Sequence, residues 1–186
     1  MLKWQLKDVI LLALVAFLFG GVFMGAGFLY ALLESLLTPW GYAPFANEIL
    51  FGMWVMAAPV SALLIPRAGS ATLGEVLAAL AEMLYGSFFG PGVLVSGLVQ
   101  GLGVELGFIV TGYRRYDTVP LFYGAIGTTV LSFLYEYFKL SYHVYDFGMV
   151  VALFVVRFIS VWFFCVFLTQ HVMRLYERLV PQKVTK

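Results

Sequence analysis

From Val9 to Leu33 the chain reads VILLALVAFLFGGVFMGAGFLYALL, without one charged residue. A run of this length crosses the hydrocarbon core of a bilayer, for which roughly 20 apolar residues suffice. Hydrophobic residues make up 62% of the 186 and charged residues 11%, against about a quarter charged in soluble domains. So few charges cannot cover a water-facing surface, and the chain reads as an integral membrane protein. A net charge of +1 offers nothing to nucleic acid. The lone Cys165 cannot form an internal disulfide. His143 and His171 lie near the ends of apolar runs, and no His/Cys grouping has metal-ligand spacing. The start MLKWQLKDVILLALVAFLFGG also resembles a secretory signal, with Lys3 and Lys7 ahead of an apolar core. The length of the run favours a membrane span instead.

Six apolar segments follow one another: about 8–35, 47–65 ending at Pro66, 73–89, 91–112, 119–139 and 147–173. The expected fold is all-α, a polytopic bundle of six transmembrane helices in a single membrane domain over 1–186. The connections are short, GSFFGPG being the tightest. With the N terminus inside, Lys3, Lys7, Arg67, Arg114, Arg115, Arg174, Arg178, Lys183 and Lys186 are cytoplasmic, and only Lys139 is outside. The positive-inside rule therefore puts both termini in the cytoplasm. Glu34, Glu48, Glu136 and Asp146 fall on the outer side. Trp4, Trp40, Tyr42, Tyr113 and Tyr142 fit interfacial belts. Trp40 and Tyr42 lie in the longest outer loop, 36–47, the segment expected to serve as a lid.

An ionisable side chain inside a bilayer is a functional hypothesis by default. Glu75 follows Thr72 by three residues, the spacing of a capping box. Glu82 stands alone in AALAEMLYG, ~10 Å below the outer end of its helix at 1.5 Å per residue. It shares a face with Ala78, Ala79 and Tyr85, which leaves room for a ligand; its structural alternative is an ion pair with Arg157. In PGVLVSGLVQGLGVELGF, Ser96, Gln100, Gly103 and Gly107 fall on one face, where either a ligand or another helix packs closely. Gln100 is near Glu82 in depth. Glu105 lies on the opposite face, and Glu105–Arg157 is the expected buried ion pair, with Glu82–Arg157 the competing one. On the fifth helix Gly124, Thr128, Ser132 and Tyr135 make a stripe with Glu136 next to it, one turn inside the outer surface; the alternatives for Glu136 are a pair with Lys139 three residues on or an exposed position. Trp54 is deeper than an interfacial tryptophan should be. Together Trp54, Glu82, Tyr85, Gln100, Tyr135 and Glu136 form a candidate outward-facing substrate site. Carboxylates and aromatic faces favour a cation or a hydrogen-bonding heterocycle.

There is no phosphate-binding G-x-x-x-x-G-K-[ST] motif, so the chain cannot power transport itself, and no catalytic constellation, metal site or cofactor is expected. On helix 1, Ala13, Ala16, Gly20, Gly21 and Gly25 make a small-residue face, suited to packing within the bundle or to another subunit.

The stretch FGMWVMAAPVSALLIPRAGSATLGEVLAALAEMLYGSFFGPGVLVSGLVQGLGVELGF, with the later VVRFIS, resembles the YkoE-type family. These are the thiamin/hydroxymethylpyrimidine S components of energy-coupling factor (ECF) vitamin transporters. The resemblance implies capture of thiamin or its hydroxymethylpyrimidine precursor at a cell membrane, bacterial or archaeal. It also implies as partners a membrane coupling protein (T component) and two cytoplasmic ATPases. It supports Trp54, Glu82, Tyr85 and Gln100 as site residues and Ala13, Ala16 and Gly20 as the docking surface. The alternative is a stand-alone proton-coupled carrier of a small cationic heterocycle. An intramembrane enzyme built on Glu82 and Glu105 is a third reading without a reaction to attach to it.

Overall fold

The computed structural model describes residues 4–87 and 89–179. Lys3, Lys183 and Lys186, used above for orientation, lie outside them. The fold is all-helical among the described residues. Helix α1 spans Leu6–Leu37, 32 residues and therefore ~48 Å long. The second span is broken: α2 (Pro44–Leu50) passes through a 3-10 stretch, Phe51–Val55, into α3 (Ala57–Leu64). Helices α4 (Ser70–Leu84), α5 (Gly92–Val110) and α6 (Thr118–Lys139) are the next three spans. The last runs from α7 (Phe147–Val161) through a π-helical stretch, Trp162–Leu168, into α8 (Thr169–Leu179). Five of the six are long and apolar enough to cross a membrane. Helix α4 has only 15 residues, or ~22 Å. It stops at Leu84, five residues before the expected end, because the chain turns there. Gly86 takes a φ of 98°, and the amides of Gly86 and Ser87 donate back to Met83 and Glu82. This is the double C-terminal hydrogen bond that a left-handed glycine permits.

Irregular backbone at membrane depth requires side chains to pair the groups it frees. At the break between α2 and α3, Gly52 N–H donates to Ser160 Oγ at 3.0 Å, and Ser160 Oγ donates to the Ile49 carbonyl at 2.7 Å. Ala58 N–H, at the start of α3, donates to Glu75 Oε2 at 2.7 Å. Glu75 is thus no capping box for its own helix. It lies fully buried and accepts a hydrogen bond from the neighbouring span, while its Oε1 has no partner among the described residues.

Glu105 corrects a second expectation. It does not reach Arg157. Its carboxylate accepts from Gly69 N–H (2.7 Å), Thr72 N–H (3.1 Å) and the Tyr113 hydroxyl (2.7 Å). Gly69 is the N-cap of α4 and has no side chain to cap with, so Glu105 does that work from across the bundle. At the same end Asp8 pairs with Arg67 at 3.0 Å.

The polar and small face of α5 divides along its length. Gly103 and Gly107 press against Thr128, Pro120 and Gly124 of α6, where a Cβ would collide with backbone. This is the close approach that small residues allow in lipid. On α1, Ala16 and Gly20 are buried, and a Cβ on Gly20 would come within 2.5 Å of Ala81 on α4. They pack inside the bundle and leave no docking surface at those two positions. Ala13 is exposed, as are Gly21 and Gly25.

Candidate functional site

A cavity of about 190 Å³ opens between α1, the broken span, α4, α5 and α6 at the end where α4 turns into α5. Its size is below the ~300–1,000 Å³ of pockets for drug-sized ligands, so its occupant is small. Of the six expected site residues, Trp54, Glu82, Gln100 and Glu136 line it. Tyr85 and Tyr135 do not. Tyr85 is the C-cap of α4, where its hydroxyl donates to the Phe17 carbonyl at 3.0 Å and its ring stands edge-on to Phe17. At 100° per residue it lies roughly 60° round from Glu82, and that rotation turns it toward α1. Tyr135 lies instead under the Lys139 ammonium, 5.2 Å from its ring centre.

One wall is aromatic. Trp54 stands edge-on to Tyr30 (6.2 Å between ring centres) and Phe89 (5.8 Å), and Tyr30 and Phe89 are 5.5 Å apart. The indole N–H of Trp54 donates to the Phe23 carbonyl at 3.1 Å. Its donor is spent on the fold, while its ring remains on the cavity wall. Tyr30 and Phe23 come from α1, and Phe89 from the loop 85–91. The expected lid residues Trp40 and Tyr42 are 77% and 54% exposed and do not line the cavity.

The opposite wall is polar, and its charges are unevenly matched. Arg157 is completely buried on α7. It donates to Glu48 through Nε (2.5 Å) and Nη2 (2.7 Å), to Glu136 Oε2 (2.5 Å) and to Ser132 Oγ (3.2 Å). Its guanidinium lies 4.0 Å from the Phe51 ring centre. Both proposed partners, Glu105 and Glu82, are therefore replaced by Glu48 and Glu136. The reason is which helices touch: α7 packs on α2 and α6. Glu48, assigned above to the outer surface, is fully buried. Tyr142 is buried rather than interfacial and donates to Glu48 at 2.6 Å. Burial and the Glu48 carboxylate push the Tyr142 phenol well above its ordinary value, so it remains a donor. Asn47 joins this network to the cavity, donating to Glu136 Oε2 at 2.9 Å.

Glu82 has no such partner. It is 2% exposed, and among the described residues its carboxylate accepts only from the Ser87 hydroxyl, at 3.0 Å. Gln100 is 6% exposed and lines the same cavity. Its backbone carbonyl accepts from Thr128, while its side-chain amide has no protein partner among the described residues. Lys139 does not pair with Glu136; it lies against Ser96 Oγ at 3.3 Å. The cavity thus brings together a carboxylate with no ion-pair partner and an amide with no side-chain hydrogen bond among the described residues, beside a sheet of rings. Asn47, Tyr30, Phe89 and Lys139 were missed in the sequence. Lys139 and Glu48 at least carried a signal, as charges within one turn of a span end.

Residues 7–131 match the family described as the ABC-type cobalt transport system, permease component. The chain is 32% identical over 160 residues to a Bacillus subtilis (strain 168) protein that carries the name HMP/thiamine permease protein YkoE, covering 86% of this chain and 78% of that one. It also superimposes on a solved structure, the crystal structure of an S-component of an ECF transporter, with a TM-score of 0.85 and 29% identity. That match covers 95% of this chain and 87% of the other. These relatives are cell-membrane transport components rather than enzymes. Family match, sequence identity over most of both chains and the shared fold agree: this chain belongs to the cobalt-type ABC permease-component family, as an S component of the ECF transporters.

Proposed function

We propose that the cavity captures thiamin or its hydroxymethylpyrimidine precursor from outside the cell. A membrane coupling protein and two cytoplasmic ATPases then drive its delivery inward. The observation that carries this reading is Glu82, a nearly buried carboxylate that, among the described residues, accepts one neutral hydroxyl bond and makes no ion pair. A buried charge without a partner is costly. A ligand bearing an amine or a positive charge removes that cost, and a flat heterocycle matches the rings of Trp54, Tyr30 and Phe89. Gln100 supplies an amide donor and acceptor for a pyrimidine edge. The name of the Bacillus subtilis relative supports the same substrate class. The distribution of Lys and Arg supports a cytoplasmic side for both termini, and on that reading the cavity opens to the outside.

Mass spectrometry of small molecules released from the purified protein tests the reading. The expected result is stoichiometric thiamin or hydroxymethylpyrimidine. A co-purifying molecule with neither amine nor cationic heterocycle would overturn it.

A further inference from the structure

The buried cation of the bundle is shared between two carboxylates, and the sharing leaves acceptor oxygens over at the cavity. Arg157 donates to Glu48 through Nε and Nη2, and to Glu136 Oε2 through Nη2. The Asn47 amide nitrogen turns to the same cluster, 2.9 Å from Glu136 Oε2, 3.3 Å from Glu48 Oε1 and 3.5 Å from the Tyr142 hydroxyl oxygen. Tyr142 spends its own proton on Glu48, so all three neighbours are acceptors for Asn47. Such surroundings fix which end of the amide faces them, and Asn47 Oδ1 is turned the other way. Among the described residues neither Asn47 Oδ1 nor Glu136 Oε1 has a hydrogen-bond partner. Nor is either sealed in protein; the buried unpaired side-chain atoms among the described residues lie elsewhere, on Ser61, Arg67 and Glu75. Both residues line the cavity, from α2 and α6, whereas Glu82 reaches it from α4. The cavity therefore has a second pole, made of acceptors alone. Lys139, the cation on this wall among the described residues, is engaged by the Tyr135 ring and Ser96 Oγ instead.

We propose that Glu136 and Asn47 are specificity-determining residues: Glu136 Oε1 and Asn47 Oδ1 accept the hydrogen bond of the substrate's primary alcohol, while its amine or cationic ring lies at Glu82. This rests on the substrate reading above and deepens it. Thiamin and hydroxymethylpyrimidine differ in their rings but share an amine and a primary alcohol, so one cavity with two acceptor poles serves both. A hydroxyl donates to a carboxylate and is held firmly there. An oxyanion in its place offers the two oxygens no proton and meets the Glu136 charge at hydrogen-bond range, a like-charge contact that disfavours binding. The pole therefore selects the free alcohol and rejects its phosphate ester.

Calorimetric affinities test this. Thiamin and hydroxymethylpyrimidine are each titrated beside an analogue with hydrogen in place of the hydroxyl, and beside the phosphate ester. For whichever compound binds, the alcohol is expected to bind about tenfold or more tightly than the analogue lacking the hydroxyl, as a hydrogen bond to a charged acceptor implies. The ester is expected to bind at least about tenfold more weakly than the alcohol, the same free-energy interval with the opposite sign. In Asn47→Ala the hydroxyl's advantage shrinks severalfold while the affinity for the hydroxyl-free analogue stays within about twofold, a difference that a purely structural role for Asn47 would not produce. Thermal melts establish that the variant is folded, and Asn47→Ser serves the same comparison where Asn47→Ala is not. Equal affinity for the alcohol and its hydroxyl-free analogue, an ester that binds as tightly as the alcohol, or a variant that weakens alcohol and analogue alike overturns the proposal and leaves the substrate reading standing. Failure of both alcohols to bind overturns the substrate reading, and the proposal with it.

Discussion

Replacing Arg157 by Met leaves the carboxylates of Glu48 and Glu136 buried together without their shared cation. Removing one member of a buried ion cluster typically destabilises by about 3–5 kcal/mol. Thermal unfolding in detergent should show a loss of that order, and Glu48→Gln in the same background should recover part of it. Trp54 makes a separate prediction. Its ring lines the cavity while Trp40 is far more exposed, so ligand binding should quench fluorescence in the native protein and much less in Trp54→Phe. Single residues were legible where isolation was the signal. Glu82 has no neighbour in the sequence to account for it, and neither does the depth of Trp54. Arg157 was equally conspicuous, but its partners depend on which helices touch, and sequence spacing carries no such information. Tyr85 and Tyr135 failed for a smaller reason: each sits on the correct helix, turned away from the cavity by a fraction of a turn.

At the level of helices, six apolar runs gave six spans with ends within a few residues, because length and hydropathy alone set them. The interruptions were not legible. The 3-10 stretch Phe51–Val55 persists because Ser160 and Glu75, far away in sequence, accept the hydrogen bonds it frees. Glu75→Ala should therefore destabilise by roughly 1–3 kcal/mol, the cost of an unpaired buried donor. Glu75→Gln keeps an acceptor for Ala58 N–H and should lose less, as denaturation midpoints of the two variants would reveal. Along α5, either a close helix or a ligand was compatible with the small and polar face. Both are present, since Gly103 and Gly107 meet α6 while Ser96 and Gln100 meet the cavity. Gly107→Val should wedge α5 from α6 and lower the melting temperature, with Gly25→Val, in open space, as the tolerated control.

For the whole molecule, the bundle places the charge-bearing loop at 65–70 and the α5–α6 connection at one end and the cavity mouth at the other. Single cysteines introduced at Trp40 and at Arg115, in a Cys165→Ala background, should react with an impermeant thiol reagent from opposite sides of the cell membrane, Trp40 from outside. Dependence on partners separates an S component from a stand-alone carrier. Liposomes containing only this chain and a pH gradient should accumulate no thiamin. The relation between Glu82 and its ligand is measured most directly by titration calorimetry of thiamin and hydroxymethylpyrimidine against the native protein and Glu82→Gln. At least one compound should bind the native protein, and the variant should bind it tenfold or more weakly while melting at a similar temperature. Equal affinity in a folded Glu82→Gln variant would contradict the assignment of that carboxylate to the ligand.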